Sequence, residues 1–198
     1  GVKGFIYKNY CLGGTKDKAE PRQYFSDENG MRCDTIRQKI ENWKTENLIS
    51  DDEYYFLITS LVESIDKYAN TASVYGAFLK KLKKTAQNNL ILKPAELIIN
   101  DQDHEVFNED INKVAGKIAG DILYLDPPYN QRQYATNYHM LETIAKYDNP
   151  KIHGKTGLRE YQNQKSLYCS RTQVKKAFKD LILKAKAKYI FLSYNNEG

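Results

Sequence analysis

Apolar positions in the first half of the chain recur at helical spacing. From Asp27 to about Thr45, Ile36, Ile40 and Trp43 fall three to four residues apart, which predicts a helix with Trp43 in the core. Ser50 followed by Glu53 forms a capping box, and the helix it opens places Leu57, Leu61, Ile65 and Tyr68 on one stripe. Val74, Phe78 and Leu82 repeat the pattern over about 72–86 and predict a third helix, which carries Lys80, Lys81, Lys83 and Lys84. Residues 1–25, rich in Gly, Lys and Tyr, show no clear period and read as loop. The segment 26–93 therefore reads as one helical lobe.

The pattern changes after Pro94. His104–Phe107 is a short strand candidate, and Ile111, Val114, Ala115 and Ile118 mark a short helix ended by Gly120. Ile122–Leu125 is an apolar run of buried-strand type. Tyr134–Tyr147 reads as helix, and a polar, Gly-containing loop spans about 149–169. Ser170 with Gln173 resembles a second capping box, opening a helix with Val174, Phe178, Leu181 and Ile182; Tyr189–Tyr194 is a further strand. Alternating strands and helices argue for parallel pairing in an α/β sheet over 94–198.

Length and charge narrow the class. The chain has 198 residues, 41% hydrophobic and 28% charged, which suits a domain of full size. No apolar run is long enough to span a membrane. The three cysteines Cys11, Cys33 and Cys169 form no CxxC, so a disulfide framework and a structural metal are both excluded as expectations. The reading is a soluble protein of a reducing compartment. The net charge of +5 is unevenly spread: residues 101–150 carry −5 and 151–198 carry +8. Basic blocks beside acidic ones suit a polyanionic partner, and sixteen tyrosines supply aromatic surface for stacking on bases.

The candidate chemistry lies in Asp126-Pro127-Pro128-Tyr129, directly after the apolar run. Open α/β sheets bind ligands beyond the carboxyl ends of their strands. Two prolines fix the turn and present the Asp126 carboxylate and the Pro127 carbonyl as neighbouring acceptors, while Tyr129 adds a planar face. An exocyclic amine on a heteroaromatic ring fits this set. Its lone pair is delocalised, and two acceptors holding its hydrogens favour a pyramidal nitrogen aimed at an electrophile. Such contacts strengthen as positive charge develops in the transition state. A base must leave the duplex stack to reach them.

YLDPPY resembles motif IV of the Dam-like DNA N6-adenine methyltransferases of restriction–modification type. VFNEDI (Val106–Ile111), YNQRQYATNYHMLETIAKYDNP, YIFLSYNNEG, RQYFSDENGMRCDTIRQKIENW and ASVYGAFLKK extend the likeness over nearly the whole chain. The resemblance implies a Rossmann-like α/β class I methyltransferase core, incomplete in this chain, with an inserted helical target-recognition lobe. It implies S-adenosylmethionine as cofactor, no metal, and double-stranded DNA as substrate. Asp126 and Pro127 would bind the target amine, with Asp126 also near the cofactor. Pro128 would shape the turn, Tyr129 would stack on a flipped adenine, and Asp110 with Ile111 would meet the cofactor's adenine. Lys80, Lys84, Arg132, Lys165, Arg171 and Lys175 are the candidate DNA contacts. Asp110 also reads simply as a carboxylate at a helix N-terminus, and Arg132 and Gln133 as caps of the next helix.

The family's glycine-rich cofactor loop and its ribose-binding acidic residue have no counterpart here and are expected upstream of Gly1. The alternative functions are an amino methyltransferase acting on cytosine N4 or RNA, and a catalytically silent DNA-binding module.

Overall fold

A computed structural model describes residues 1–195; Asn196–Gly198, the end of the YIFLSYNNEG segment, lie outside the described residues. The chain divides into two compact units, one of residues 1–98 with 136–160 and one of residues 99–135 with 161–198.

The first unit is mainly helical. It begins with α1 (Phe5–Tyr10) and α2 (Leu12–Thr15), so residues 1–25 are not a loop. Ile6, Tyr10, Cys11, Tyr24 and Phe25 are fully buried there, and the aromatic rings make this stretch part of the core despite its missing periodicity. Helix α3 (Asp27–Thr45) is capped by Ser26, whose side chain accepts from Asn29 N at 3.2 Å. Its buried face runs through Cys33, Asp34, Arg37 and Ile40, which leaves Trp43 half-buried beneath the Lys39 ammonium. Two buried charges on this face cap other helices. The Asp34 carboxylate accepts from Ile6 N at 3.0 Å and Tyr7 N at 2.8 Å at the start of α1. Arg37 donates to the carbonyls of Ile144 and Ala145 near the end of a later helix, both at 3.2 Å. Each charge has the sign that the helix dipole favours at that end.

Helix α4 (Asp51–Asp66) opens on the expected capping box: Glu53 N donates to Ser50 Oγ, and Ser50 N to Glu53 Oε2. Leu61 and Ile65 of its stripe are fully buried. Ser60 and Ser64, one turn apart, accept from Ala95 N and Lys93 N, both at 2.9 Å. The expected third helix over 72–86 is not formed; only α5 (Lys84–Gln87) is helical. Two buried asparagines hold this stretch instead. Asn70 Nδ2 donates to Gln23 O and Leu79 O, while its Oδ1 accepts from Lys83 N. Asn29 Nδ2 donates to Ala86 O and Asn88 O, and its Oδ1 accepts from Leu90 N. Side-chain amides thus satisfy backbone groups that a helix would have paired internally.

The second unit carries α6 (Ile111–Val114) and β1 (Ala119–Leu125). His104–Phe107 forms no strand. The expected helix over 134–147 is broken into α7 (Tyr134–Asn137), where the division between units falls, and α8 (His139–Lys146), which belongs to the first unit with buried Met140 and Ile144. The segment 94–198 is therefore not one continuous α/β block. The stretch expected as loop over 149–169 contains a small antiparallel hairpin, β2 (Ile152–His153) with β3 (Leu158–Arg159), in the first unit. In the second unit, 3-10 turns at Gln162–Gln164 and Leu167–Cys169 precede α9 (Val174–Lys184) and β4 (Lys186–Leu192). Ser170 and Gln173 form no capping box; Gln173 is itself the N-cap residue and its side chain makes no capping bond.

The expected parallel pairing is present. β1 and β4 run parallel, from Ala119 beside Lys186 to Leu125 beside Leu192. Leu125, Ala115, Tyr168, Ala177 and Leu181 form the core of this unit, with Leu123 and Phe178 against it. The opposite face of the strands exposes Ile122, Tyr124, Tyr189 and Phe191, each more than half accessible, so Ile122–Leu125 is covered on one face only and is not the fully buried strand that its apolar run predicts.

Candidate active site

The apolar run of β1 ends at buried Leu125, and Leu125 O accepts from Ser193 N at 2.8 Å. That bond extends the parallel ladder one step past β4. Asp126 therefore leaves the sheet at the carboxyl ends of both strands, the position where open α/β folds bind ligands. Asp126 is exposed, Pro127 and Pro128 are half-buried, and Tyr129 is 42% exposed. The prolines turn the chain without donors that would need partners, and the carboxylate and ring are presented to solvent.

The exit from this turn is held by Asn130, Gln133, Ser166 and Cys169. Asn130 Oδ1 accepts from Arg132 N at 2.9 Å in a tight local turn. The Gln133 amide pairs with the main chain of Ser166, and Cys169 Sγ donates to Arg132 O at 3.4 Å. Gln133 thus ties the turn to the 166–169 segment. Tyr168, next in that segment, is buried edge-on against Phe178 at 4.9 Å, and Phe178 meets Tyr194 at 5.4 Å. Burial pushes the Tyr168 hydroxyl up to about 12. As a neutral donor it reaches Asn112 Oδ1 at 2.8 Å, and Asn112 Nδ2 donates to Ala177 O and Asp180 Oδ2. No spacing rule links Gln133 to Ser166 or Asn112 to Tyr168, so periodicity alone could not have found them.

Asp110 is the N-cap of α6, with Oδ1 accepting from Asn112 N at 2.9 Å. The helix-cap reading is thereby present, and it engages one carboxylate oxygen. Ile111 packs against the core of this unit. Through Asn112, Tyr168 and Ser166, the start of α6 connects to the Gln133 loop beside Asp126–Tyr129.

The basic candidates divide between the units. Arg132, Lys165, Arg171 and Lys175 are exposed in the second unit. The Gln133–Ser166 pairing brings Arg132 and Lys165 to one loop cluster, with the Lys165 ammonium 5.8 Å from the Tyr161 ring centre. Arg171 lies two residues past Cys169, and Lys175 is on the first turn of α9. Lys80 and Lys84 are exposed in the first unit, Lys80 on the irregular stretch held by Asn70 and Lys84 at the start of α5. Among the described residues no group of three or more His, Cys, Asp or Glu could hold a metal, and no helix is long and apolar enough to cross a membrane.

The acidic, proline-fixed turn with an aromatic face thus sits at the end of parallel strands, the edge at which open α/β folds bind ligands. The chain belongs to the D12 class N6 adenine-specific DNA methyltransferase family, whose model matches residues 3–196. It is 55% identical over 196 residues to the type II methyltransferase M.NlaIII of Neisseria lactamica, covering 99% of this chain and 57% of that protein. It is 47% identical over 177 residues to the type II methyltransferase M.FokI of Planomicrobium okeanokoites, covering 89% of this chain and 27% of that one. It is also 39% identical over 199 residues to the type II methyltransferase M.CviAII of Paramecium bursaria Chlorella virus 1, covering 100% of this chain and 56% of that one. The chain thus spans little more than half, or less, of these curated relatives. No solved structure matches it.

Proposed function

We propose that the protein methylates N6 of an adenine flipped out of double-stranded DNA, as the modification enzyme of a restriction–modification system in the bacterial cytoplasm. The observation that carries this reading is the Asp126–Tyr129 turn at the carboxyl end of β1, in a chain of the adenine-specific family. S-adenosylmethionine supplies an electrophilic methyl group when bound. The residues present fit its adenosyl part: Asp110 keeps Oδ2 without a hydrogen bond among the described residues, beside half-buried Ile111.

The Asp126 carboxylate and the Pro127 carbonyl accept the two hydrogens of the target amine and hold the nitrogen pyramidal. Positive charge developing on that nitrogen falls beside a carboxylate and a carbonyl dipole, so both contacts strengthen towards the transition state. Pro128 fixes the turn, and Tyr129 offers its ring as the stacking platform that replaces the lost base stack. The first unit, with Lys80 and Lys84, serves as the inserted target-recognition lobe. Arg132, Lys165, Arg171 and Lys175 contact phosphates, which positions the duplex without reading sequence.

The test is transfer of labelled methyl from S-adenosylmethionine to plasmid DNA, followed by digestion and nucleoside analysis. N6-methyladenine is the expected product. N4-methylcytosine would move the substrate, label on RNA alone would move the polymer, and DNA binding without label would leave a silent binding module.

A further inference from the structure

The β2–β3 hairpin has only two paired rungs, too few to hold itself in water. It is instead fastened from beneath. At its base Arg159 forms a forked pair with Asp148, at 3.2 and 2.6 Å. Under its turn lies Arg22, 7% exposed, which donates from Nε to Lys155 O at 3.0 Å, from Nη2 to Gly154 O at 2.9 Å and from Nη1 to Asn9 O at 3.3 Å. Tyr10 OH donates to Gly157 O at 2.8 Å. Gly157 has φ +68°, and a Cβ there would meet Arg22 Nε and Tyr10 Cε1, both at 2.9 Å, so only glycine fits this close approach.

The upper side of the hairpin is open and basic: Lys151, His153 and Lys155 are exposed. Lys18 donates to Lys8 O and Asn9 Oδ1, which places its ammonium beside the strip that Arg22 joins to the turn. Carboxylates occur at the margins, on exposed Asp17, Glu20 and Glu160. The decisive feature is Arg22 itself. All three partners of its guanidinium are carbonyl oxygens, and among the described residues it forms no ion pair. A guanidinium nearly removed from water without a carboxylate leaves net positive potential under the turn, and buried charge is ordinarily paired. The hairpin is thus held rigid by a charge that an external anion would complement.

We propose that the exposed segment Lys151–Lys155, the first strand of the hairpin and the start of its turn, is a phosphate-backbone contact for duplex DNA, with Arg22 as the positioning residue that sets the turn. This rests on the reading that the protein acts on DNA and assigns it a contact element outside the residues named above.

The test uses the full chain, a duplex of random sequence and the cognate duplex, with affinity measured across salt concentration. Lys151 and Lys155 are exposed, so K151A/K155A leaves the fold intact. In that variant the slope of log affinity against log salt becomes shallower by about two, roughly 0.9 per lost phosphate contact, on both duplexes alike. Arg22→Lys keeps the charge but loses the forked grip on two carbonyls, and shifts the slope the same way by a smaller amount with unchanged circular dichroism. Wild-type binding with a steep salt slope that K151A/K155A leaves unchanged would overturn the hairpin contact alone. A loss confined to the cognate duplex would overturn phosphate contact in favour of base reading. Absence of DNA binding by the wild type would overturn the DNA reading and the hairpin together.

Discussion

Gln133 and Ser166 form a two-bond clasp: Ser166 N donates to Gln133 Oε1 at 2.8 Å, and Gln133 Nε2 donates to Ser166 O at 3.3 Å. The clasp closes four residues after Tyr129, so it fixes where the Asp126–Tyr129 turn ends. Gln133→Ala should lower kcat by about 10- to 100-fold, the usual cost of misplacing reacting groups by about an ångström. DNA affinity should stay within about threefold, because phosphate contacts dominate it. Steady-state kinetics beside a binding isotherm separates the two, and an equal fall in affinity and kcat would assign Gln133 to DNA binding instead.

Asp126→Ala removes an acceptor whose contact is strongest in the transition state. Methyl transfer should fall by at least about 100-fold while most DNA affinity remains. Single-turnover transfer of labelled methyl is the measurement. Turnover equal to wild type would refute the role given to this carboxylate.

Arg132, Lys165 and Arg171 are gathered around the clasp although they span forty positions of sequence. Neutralising Lys165 and Arg171 together should make the salt slope of DNA binding shallower by about two. An unchanged slope would remove this cluster from the interface.

His139 is buried beside the rings of Tyr10 and Tyr24, with Nε2 3.0 Å from Tyr75 O, and burial lowers its pKa from 6.5 to about 4; the positive charges of Arg159 and Arg22 act in the same direction. The unfolded chain binds a proton near pH 6.5 that the folded one refuses until about pH 4. Its contribution is therefore fully present above pH 6.5 and is lost as pH falls from there towards 4, by about 3 kcal/mol at most. His139→Gln, which keeps a donor for Tyr75 O, should flatten this part of the stability curve. Urea midpoints at pH 7 and pH 5 check it; an identical pH dependence in the variant would place the effect elsewhere.

The sequence was legible where local chemistry or strand pairing decided the element. Ser50 and Glu53 close their capping box, and the apolar run before Asp126 pairs in parallel with the strand near the end of the chain. Legibility failed where polar side chains do the packing. Val74, Phe78 and Leu82 have helical spacing, yet Asn70 captures the backbone around them and Gly76 interrupts the run. The 1–25 segment looked irregular because its core is made of Tyr10, Tyr24 and Phe25 in short helices and bends. On α3 the buried positions include Asp34 and Arg37, which an apolar pattern counts as surface. The clasp at Gln133 and the link from Asn112 to Tyr168 join residues 33 and 56 positions apart, and only the folded chain reveals them.

Asn29 is followed directly by Gly30, the dipeptide most prone to spontaneous succinimide formation. That reaction needs the Gly30 nitrogen to attack the Asn29 side-chain carbonyl carbon from an extended backbone. Here Gly30 N is committed to Ser26 O within α3, and the Asn29 amide is engaged with Ala86, Asn88 and Leu90. Deamidation at this pair therefore requires α3 to open at its first turn. Once formed, the resulting carboxylate could no longer donate to the carbonyls of Ala86 and Asn88. Each opening of that turn thus carries a risk of permanent chemical ageing, and the accumulated isoaspartate would record how often the first unit has come apart.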